Sequence, residues 1–284
     1  GALSVIGRYL GAGKKEEAQD AFRTAIMTLG IISLICMIIG VTFHKEIARL
    51  LGASDVLFDY VNIYLLYISM FLPFICLNVL FGFVCRLIEK PERYLIGTIL
   101  SLITNIVLDF FFIKVLGLGM VGASFATGIA YTVSFVIVFI PMLEKNNIFN
   151  ITVGKFNKGY VLSMVYNGAS EGVISISAAV TVYLFNMTLM KVAGETGVVA
   201  YTTINYLAHF GSMIIFGISD GIGSIISYNY GQRSLDRLKE LMSLATKTQI
   251  VIGIVLFSIL FFFGERLILI FSTLEPEVLA LATQ

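Results

Sequence analysis

Long apolar segments separated by short polar loops run through the whole sequence. Seven of them are about 20 residues or longer, and they cover residues 22–43, 60–86, 94–116, 120–143, 160–190, 197–230 and 241–264. An α-helix needs about 20 apolar residues to cross a bilayer, and the alternating pattern of a transmembrane barrel is absent. We therefore predict seven complete membrane-spanning helices, with the end of another at 1–11 and the start of one at 267–284.

Basic residues are concentrated in every second loop. Of the 19 Lys and Arg residues, 14 lie in or beside the first, third, fifth and seventh loops: Arg8, Lys14, Lys15, Arg23, Arg86, Lys90, Arg93, Lys145, Lys155, Lys158, Arg233, Arg237, Lys239 and Lys247. The other five lie toward the opposite side: Lys45, Arg49, Lys114, Lys191 and Arg266. Cytoplasmic loops carry an excess of Lys and Arg, so the larger set is assigned to the cytoplasm. A wrong number of spans would have scrambled this division.

The composition supports a membrane protein and excludes several other classes. Hydrophobic residues make up 58% of the chain and charged residues only 13%, and the mean hydropathy is +0.93. A net charge of +1 offers no strongly basic face for a nucleic acid. The three cysteines form no disulfide framework or metal-binding spacing. No paired catalytic carboxylates, histidine-rich ligand set or nucleophile elbow is present, so we do not expect an enzyme.

Two segments resemble each other at an offset of 220 positions. Residues 1–11 read GALSVIGRYLG and residues 221–231 read GIGSIISYNYG. The identical pairs are Gly1/Gly221, Ser4/Ser224, Ile6/Ile226 and Gly11/Gly231. Each segment leads into a polar loop, a helix start and an apolar span, and both run toward the cytoplasm. We therefore predict a parallel repeat about an axis along the membrane normal, in which residues 1–64 superpose on 221–284.

The repeat predicts the organisation of the whole protein. The longest polar linker, EKNNIFNITVGKFNK, covers residues 144–158. It separates a predicted N-lobe at 1–143 from a C-lobe at 159–284. Completing each copy from the other gives an all-α, polytopic membrane protein of two six-helix lobes and roughly 420–450 residues. We expect this chain to be a fragment of it, truncated at both ends.

Two carboxylates lie inside apolar segments, one in each half of the chain. Asp109 belongs to the segment 94–116 and Glu171 to the segment 160–190. Charged side chains are costly inside a bilayer, so the few that occur there usually line a path for ions or substrates. The two acids therefore suggest ion-coupled transport.

Asp109 has polar companions at helical spacing. Asn105 lies one turn earlier on the same helix face, and Thr127 lies on the next predicted helix, after a tight turn at Gly117-Leu118-Gly119. Carboxylate, amide and hydroxyl oxygens suit a proton relay or a Na⁺ site, because hard cations take oxygen ligands. Hydrogen bonds that pack helices together are the alternative role for such residues.

Glu171 and Asp220 are further candidates. Glu171 lies among small residues in NGASEGVIS, where a helix or a substrate can approach closely. It could bind a cation, balance a cationic substrate or form a salt bridge to a helix outside this chain. Asp220 lies 11 residues before Gly231 and is either a third titratable group or a side chain in a water-filled cavity. We predict no metal ligand set and no cofactor, apart from Na⁺ or H⁺ bound as a coupling ion.

Several motifs occur in an order that is specific as a set. SVIGRYLGAGKKEEA, at residues 4–18, is followed by RLIEKPERYLIGTILSLITNIVLDFFFIKVLGLGMVGASFATGIA at 86–130 and by IISYNYGQ at 225–232. The second contains a Pro turn, Asn-x-x-x-Asp and a Gly-x-x-Gly-Ala-x-x-Ala-Thr run. Together they resemble the multidrug and toxic compound extrusion (MATE) family, in its bacterial multidrug branch. The three motifs resemble, respectively, the end of helix two with its loop, helices five and six, and the end of helix eight.

The resemblance covers essentially the whole chain and carries specific implications. It implies that the chain holds the end of helix two, helices three to nine and the start of helix ten. It also implies that Asn105, Asp109 and Thr127 form the cation site of the first lobe and that Glu171 is the helix-seven acid of the second. Two elements of the family are absent from this sequence: helix one, which carries an acid that partners the helix-five acid, and most of helix ten. Asp220 also departs from the family pattern, because a Gln is expected there.

The combined prediction is a non-enzymatic antiporter, coupled to H⁺ or Na⁺, that exports amphipathic or cationic drugs by alternating access of two lobes. A flippase for lipid-linked sugars or polysaccharides is the alternative. It would need a basic cavity, and the spans carry only Lys114 and Lys191 near their outer ends. We expect a monomer in the bacterial inner membrane, with small organic cations or drugs and the lipid bilayer as partners and no nucleic acid.

Overall fold

The structure is a computed structural model. It describes residues 1–271 except 52, 54, 56, 145 and 146, without side chains at 186, 190, 193–200, 203, 204, 206–208 and 264–271. Lys145 of the predicted basic loops and residues 272–284 of the predicted C-lobe therefore lie outside the described residues.

All regular elements of the described residues are helical, which confirms the predicted all-α fold. The α-helices in chain order are α1 (Ala2–Gly11), α2 (Lys15–Thr42), α3 (His44–Leu50), α4 (Phe58–Ser69), α5 (Leu72–Leu87), α6 (Pro91–Asp109), α7 (Gly119–Phe139), α8 (Lys158–Gly231) and α9 (Leu235–Phe271). A π-helix, Phe110–Val115, follows α6, and a 3-10 helix, Ile140–Leu143, follows α7. Helices suit a bilayer because each satisfies its own backbone hydrogen bonds.

The chain packs as two compact units. The first comprises Gly1–Gly168 with Ser227–Arg233, and the second comprises Ala169–Ile226 with Ser234–Gln284. The predicted lobe boundary follows the sequence repeat, whereas packing also places the first turns and the last turn of α8 in the first unit. The division into an N-lobe and a C-lobe, which was made from the repeat, therefore stays a prediction.

The membrane spans agree with the sequence pattern in number. Within the described residues, six helices are long and apolar enough to cross a membrane, and a seventh span results if α4 and α5 are counted together. These two helices are bent by 59° at their junction, where one uninterrupted span was predicted. Pro73 explains the break, because it lies in the first turn of α5. A proline lacks an N–H group, and its ring clashes with the carbonyl four residues earlier.

The two spans predicted between 160 and 230 belong to one assigned helix, α8. Two candidate spans lie within it, Lys158–Leu189 and His209–Gly231. The predicted break at 191–196 is helical in backbone, since it contains no proline to interrupt hydrogen bonding. The chain still reverses nearby: the rings of Phe185 and Tyr201 stack with centroids 5.3 Å apart, although 16 residues of straight helix would separate them by about 24 Å.

Aromatic side chains form the core of the first unit where α2, α5 and α7 meet. Phe22 of α2 lies between Phe81 of α5 and Phe149 of the linker, with ring centroids 6.1 and 5.2 Å away. Phe81 also contacts Phe135 and Phe139 of α7. Phe22, Phe81 and Phe149 are at most 2% exposed. This cluster fixes α7, and therefore the helix pair that carries the candidate site.

The turns that follow α1 and α8 have the same backbone geometry. Gly13 has φ +76° and Arg233 has φ +58°, the left-handed conformation that ends many helices. In each turn the first residue after the helix donates its N–H four residues back, at 3.0 and 3.1 Å. Gly13 and Arg233 are 220 positions apart, as are the starts of α2 at Lys15 and α9 at Leu235. The structure thus confirms the predicted offset at this turn, and the full superposition stays a prediction.

The linker after α7 is docked on the first turns of α2. Residues 147–157, which we call the docked linker, receive hydrogen bonds from side chains of α2 or donate to them. Gln19 donates from Nε2 to the carbonyls of Asn150 and Val153, at 2.6 and 2.9 Å, and accepts at Oε1 from the Asn150 N–H at 3.0 Å. Thr24 accepts at Oγ1 from the Asn157 N–H at 3.1 Å. The linker therefore belongs structurally to the first unit.

Candidate functional site

Asn105 and Asp109 lie on the inner face of α6. The helix begins at Pro91, which suits a first helical position because the N–H it lacks would be unpaired there anyway. Asn105 and Asp109 are half-buried, whereas Leu102 and Ile106 on the same helix are each 60% exposed. This difference in exposure is expected for a helix with one face toward lipid and one toward protein. The two polar residues thus point away from the lipid-facing side.

The neighbour of this inner face is α7, and the two helices form the most extensive helix pair of the described residues. Several small residues of α7 are buried: Gly122, Ser124, Ala126, Gly128, Ala130 and Ser134. At Gly97 of α6, a Cβ would lie 3.0 Å from the Ser134 hydroxyl oxygen. Such small residues are the usual means by which membrane helices come close enough for polar side chains to meet.

A tight turn brings α7 back along α6. Gly117 and Gly119 have φ of +66° and +54°, a conformation that residues with a Cβ rarely adopt. α7 begins at Gly119, the last residue of the predicted Gly117-Leu118-Gly119 turn. The turn therefore sets which residues of the two helices lie side by side.

The structure brings Asn105 and Thr127 together across this helix pair. The Nδ2 of Asn105 donates to the Thr127 Oγ1 at 3.4 Å, which is longer than the usual range of about 2.7–3.2 Å for such bonds. The contact is therefore a weak one, and it uses the donor of the Asn105 amide rather than its oxygen.

Asp109 lies at a local widening of the helix. It is the last residue of α6, and the π-helix Phe110–Val115 begins directly after it. Single turns of π-helix inside α-helices are rare and often occur at functional sites. The sequence contained no signal for this feature.

The Oδ1 atom of Asp109 is buried and has no hydrogen-bond partner among the described residues. A buried carboxylate oxygen without a partner is costly, because the lost hydration is not replaced. Binding a proton or a cation removes that cost. The structure therefore joins Asn105 to Thr127, and it does not place Asp109 Oδ1 in hydrogen-bond contact with either of them. Oxygen atoms of these types suit a small hard cation or a proton. No three His, Cys, Asp or Glu side chains are grouped to hold a metal anywhere in the described part of the chain.

Glu171 and Asp220 lie in the second unit, both on α8 and both exposed in it. The Glu171 carbonyl accepts from the Ser175 hydroxyl at 2.9 Å, a contact within the helix. The structure does not bring either acid into hydrogen-bond contact with another charged side chain among the described residues. Their predicted roles stay predictions.

One polar contact near Asp220 was missed by the sequence reasoning. Gln249 of α9 donates from Nε2 to the Ser219 hydroxyl at 2.8 Å, so α9 packs against α8 directly beside Asp220. The signal was present, because Gln249 is an amide inside the apolar segment 241–264. Amides buried in membrane helices usually pair across a helix interface.

Comparison with known proteins identifies the family. A model of the MatE family matches residues 1–111 and 172–284, one segment on each side of the linker. The multidrug export protein MepA of Staphylococcus haemolyticus is 27% identical over 285 residues, and MepA of Staphylococcus saprophyticus is 28% identical over 287. Both matches cover 100% of this chain, and the chain spans 62% of the length of these relatives.

Solved structures share the fold. A MOP superfamily transporter from Pyrococcus furiosus, described as having a binding pocket of reversed polarity and a different function, superposes with a TM-score of 0.90 at 22% identity. A multidrug resistance MATE family transporter in an outward-facing conformation gives a TM-score of 0.88 at 22% identity. Each likeness covers 99% of this chain and 64% of that chain.

The membrane spans and the bacterial relatives together make this a multi-pass protein of the bacterial inner membrane. The family model covers most of the chain, in two segments on either side of the linker. The chain therefore belongs to the MatE family of membrane transporters.

Proposed function

We propose that the protein is a cation-coupled antiporter that exports amphipathic or cationic small molecules by alternating access. Two relatives that match the whole of this chain are named multidrug export proteins, which supports export as the direction and drugs as the cargo. The coupling ion is H⁺ or Na⁺. The site that binds it is formed by Asp109 with Asn105 and Thr127.

The observation that carries this proposal is the buried Oδ1 of Asp109, which lacks a partner among the described residues. When Asp109 is ionised and no cation is bound to it, the protein favours a conformation in which water reaches the carboxylate, because a charge in an apolar span is costly. Neutralised by H⁺ or paired with Na⁺, it tolerates a closed, dry site. A ligand that binds two conformations with different affinity shifts the population between them. Binding of the cation can therefore drive the conformational change that releases the drug.

Charge supports a cationic cargo. The fold by itself leaves the cargo open, since the Pyrococcus furiosus transporter has a closely similar fold and is described as differing in function. In this chain the acids Asp109, Glu171 and Asp220 lie within the spans. The basic residues Lys114 and Lys191 lie near the predicted outer ends. An anionic lipid-linked sugar would need the opposite arrangement, so the flippase alternative is disfavoured.

The test compares Asp109→Asn with wild type in the full-length gene product. Inside-out vesicles receive a tenfold H⁺ or Na⁺ gradient at zero membrane potential. A tenfold gradient supplies about 1.4 kcal/mol per ion, which sustains at most about a tenfold drug gradient in one-for-one exchange. We expect wild type to approach that ratio with one of the two ions and Asp109→Asn to stay near a ratio of about one.

Asp59→Asn is the matched control, because Asp59 is an exposed acid in the first turn of α4, outside the proposed site. It is expected to behave as wild type. Drug binding by Asp109→Asn, measured without a gradient, shows whether the site remains folded. Gradient-driven accumulation by Asp109→Asn at the wild-type level would remove Asp109 from the coupling mechanism. Translocation of a lipid-linked sugar in the same vesicles, without drug transport, would favour the flippase instead.

A further inference from the structure

The helix α1 and the last turns of α8 meet at positions that have almost no side chain. A Cβ added to Gly11 would lie 2.8 Å from the carbonyl carbon of Tyr228, and one added to Gly231 would lie 2.9 Å from the carbonyl carbon of Arg8. Real Cβ atoms essentially never show separations under 3.0 Å. The two backbones are thus in direct contact, and both segments belong to the first compact unit.

The contact is reciprocal under the sequence repeat. Gly231 lies 220 positions after Gly11, and Tyr228 lies 220 positions after Arg8. When each residue is replaced by its equivalent in the other copy, Gly11 becomes Gly231 and Tyr228 becomes Arg8. The contact Gly11–Tyr228 then becomes the contact Gly231–Arg8. Residue i of one copy contacts residue j of the other and the reverse also holds, which is the signature of a two-fold interface.

A further contact lies on the local axis itself. A Cβ added to Gly7 would lie 2.8 Å from the Cβ of Ser227, and these two residues are also 220 positions apart. A residue that contacts its own counterpart must lie next to the axis. Gly7 lies beside Ser227, and the reciprocal pairs Arg8–Gly231 and Gly11–Tyr228 both follow later in each segment. The segments therefore run in the same direction, as a parallel repeat requires.

The contacts between α1 and α8 are made by Gly7, Arg8, Gly11, Ser227, Tyr228 and Gly231, and we call them the glycine crossing. The glycine crossing lies at the cytoplasmic end of both segments. Arg8 is part of it, Lys14 and Lys15 follow α1, and Arg233 follows α8. All four belong to the basic set that the positive-inside rule assigns to the cytoplasm. The reciprocal contact thus joins equivalent helices of the two repeats at the cytoplasmic side.

We propose that this glycine crossing is the cytoplasmic seal of the transport path and that it parts when the path opens to the cytoplasm. The inference rests on the alternating-access mechanism proposed above. Backbone contact brings the two helices close enough to leave no room for water between them. Since the contact involves glycines rather than long interlocked side chains, the helices can separate without rearranging a core. Its position on the local axis lets both copies contribute equally to opening.

The reciprocity gives a sharp expectation for alanine variants. A Cβ at Gly11 or at Gly231 meets backbone atoms, which cannot rotate away as a side chain can. Each substitution therefore forces the helices apart and increases the fraction of open seal. Because the two positions are equivalent, Gly11→Ala and Gly231→Ala should have equal effects. Gly30→Ala and Gly217→Ala are the controls, because nothing lies within 4 Å of a Cβ at either position.

The first measurement is the labelling rate of a reporter cysteine at Ser227. Ser227 is 8% exposed, and the native cysteines Cys36, Cys76 and Cys85 are replaced by alanine in the full-length protein. A membrane-impermeant maleimide is added to inside-out and to right-side-out vesicles. We expect labelling from the cytoplasmic side to become at least tenfold faster in both glycine variants, equal within about twofold, and unchanged in the controls. Labelling that changes in neither variant, in only one, or from the outer side would overturn the proposal.

The second measurement applies even where an alanine variant fails to fold. In the same cysteine-free background, Gly7→Cys is combined with Ser227→Cys and the pair is oxidised. We expect oxidation to form a cross-link that lowers drug export far below that of the reduced double variant, and we expect reduction to restore export to the level of the reduced double variant. A cross-linked protein that still exports drug would refute the seal. If wild type exports no drug at all, the proposed function fails, whereas the labelling of Ser227→Cys still decides whether the crossing opens.

Discussion

The docked linker offers a sharp test of the packing, through the substitution Gln19→Ala. Gln19 is 7% exposed and makes three hydrogen bonds to the linker backbone, at 2.6, 2.9 and 3.0 Å. Two of them engage the N–H and the carbonyl of the same residue, Asn150. The Gln19 amide therefore pairs with the linker backbone as a neighbouring peptide group would. Alanine would leave these backbone groups without that partner.

The expected magnitude follows from those three bonds. Each intramolecular hydrogen bond contributes about 1 kcal/mol net, and a buried group left unpaired costs about 1–3 kcal/mol. We therefore expect Gln19→Ala to lower the free energy of local opening of the docked linker by about 3 kcal/mol. Since about 1.4 kcal/mol corresponds to a factor of ten, amide exchange in this segment should become about 100-fold faster.

Hydrogen exchange followed by mass spectrometry measures this directly, because it reports local opening as well as global unfolding. The peptide that covers residues 147–157 is compared between Gln19→Ala, wild type and Lys15→Ala. Lys15 is exposed in the first turn of the same helix, so its substitution should leave the exchange unchanged. Exchange in the linker peptide that is equally fast in Gln19→Ala and wild type would refute the view that these bonds hold it.

Three further predictions address the helix pair and the repeat. Gly128→Ala should lower the free energy of unfolding by about 1–3 kcal/mol, because a Cβ there would overlap the ring of Phe71. Thermal unfolding of the variant and of wild type in detergent measures the difference. Thr127→Val should leave stability within about 1 kcal/mol, because it removes one long hydrogen bond, yet it should weaken the dependence of export on the cation gradient. An experimental structure should superpose residues 1–64 on 221–284, and a superposition that fails to place Gly11 on Gly231 would show the repeat to be chance.

Much of the fold was predictable because it depends on local patterns. Apolar segment length predicts the spans, and the offset of 220 predicts the matching turns at Gly13 and Arg233. The break between α4 and α5 was missed because Pro73 lies inside an apolar segment, whose length dominated the interpretation. The docking of the linker was not predictable, because Gln19 and Asn150 are 131 residues apart and neither carries a distinctive local motif.

Some features of the candidate site were likewise predictable from the sequence, and others were not. The proximity of Asn105 and Thr127 follows from helical spacing and from a tight glycine turn, and the structure places them 3.4 Å apart. The absence of a partner for the Asp109 Oδ1 among the described residues depends on packing in three dimensions. The π-helix after Asp109 likewise has no sequence rule. The sequence therefore indicated which residues to consider, and the geometry distinguished the acid whose buried oxygen has no hydrogen-bond partner among the described residues.

The turn after α8 shows that the two copies of the repeat retain a geometry that their residues no longer share. Gly13 adopts a left-handed conformation at little cost, whereas Arg233 adopts it with a side chain, at a cost of about 1–2 kcal/mol. Backbone strain of this kind persists where the surrounding structure requires it. The same turn fixes the direction in which α8 ends, directly after Gly231 meets the backbone at Arg8. A preserved turn beside a reciprocal contact is what a two-fold seal needs, because both helices must leave the crossing at the same angle for the contact to close from both sides.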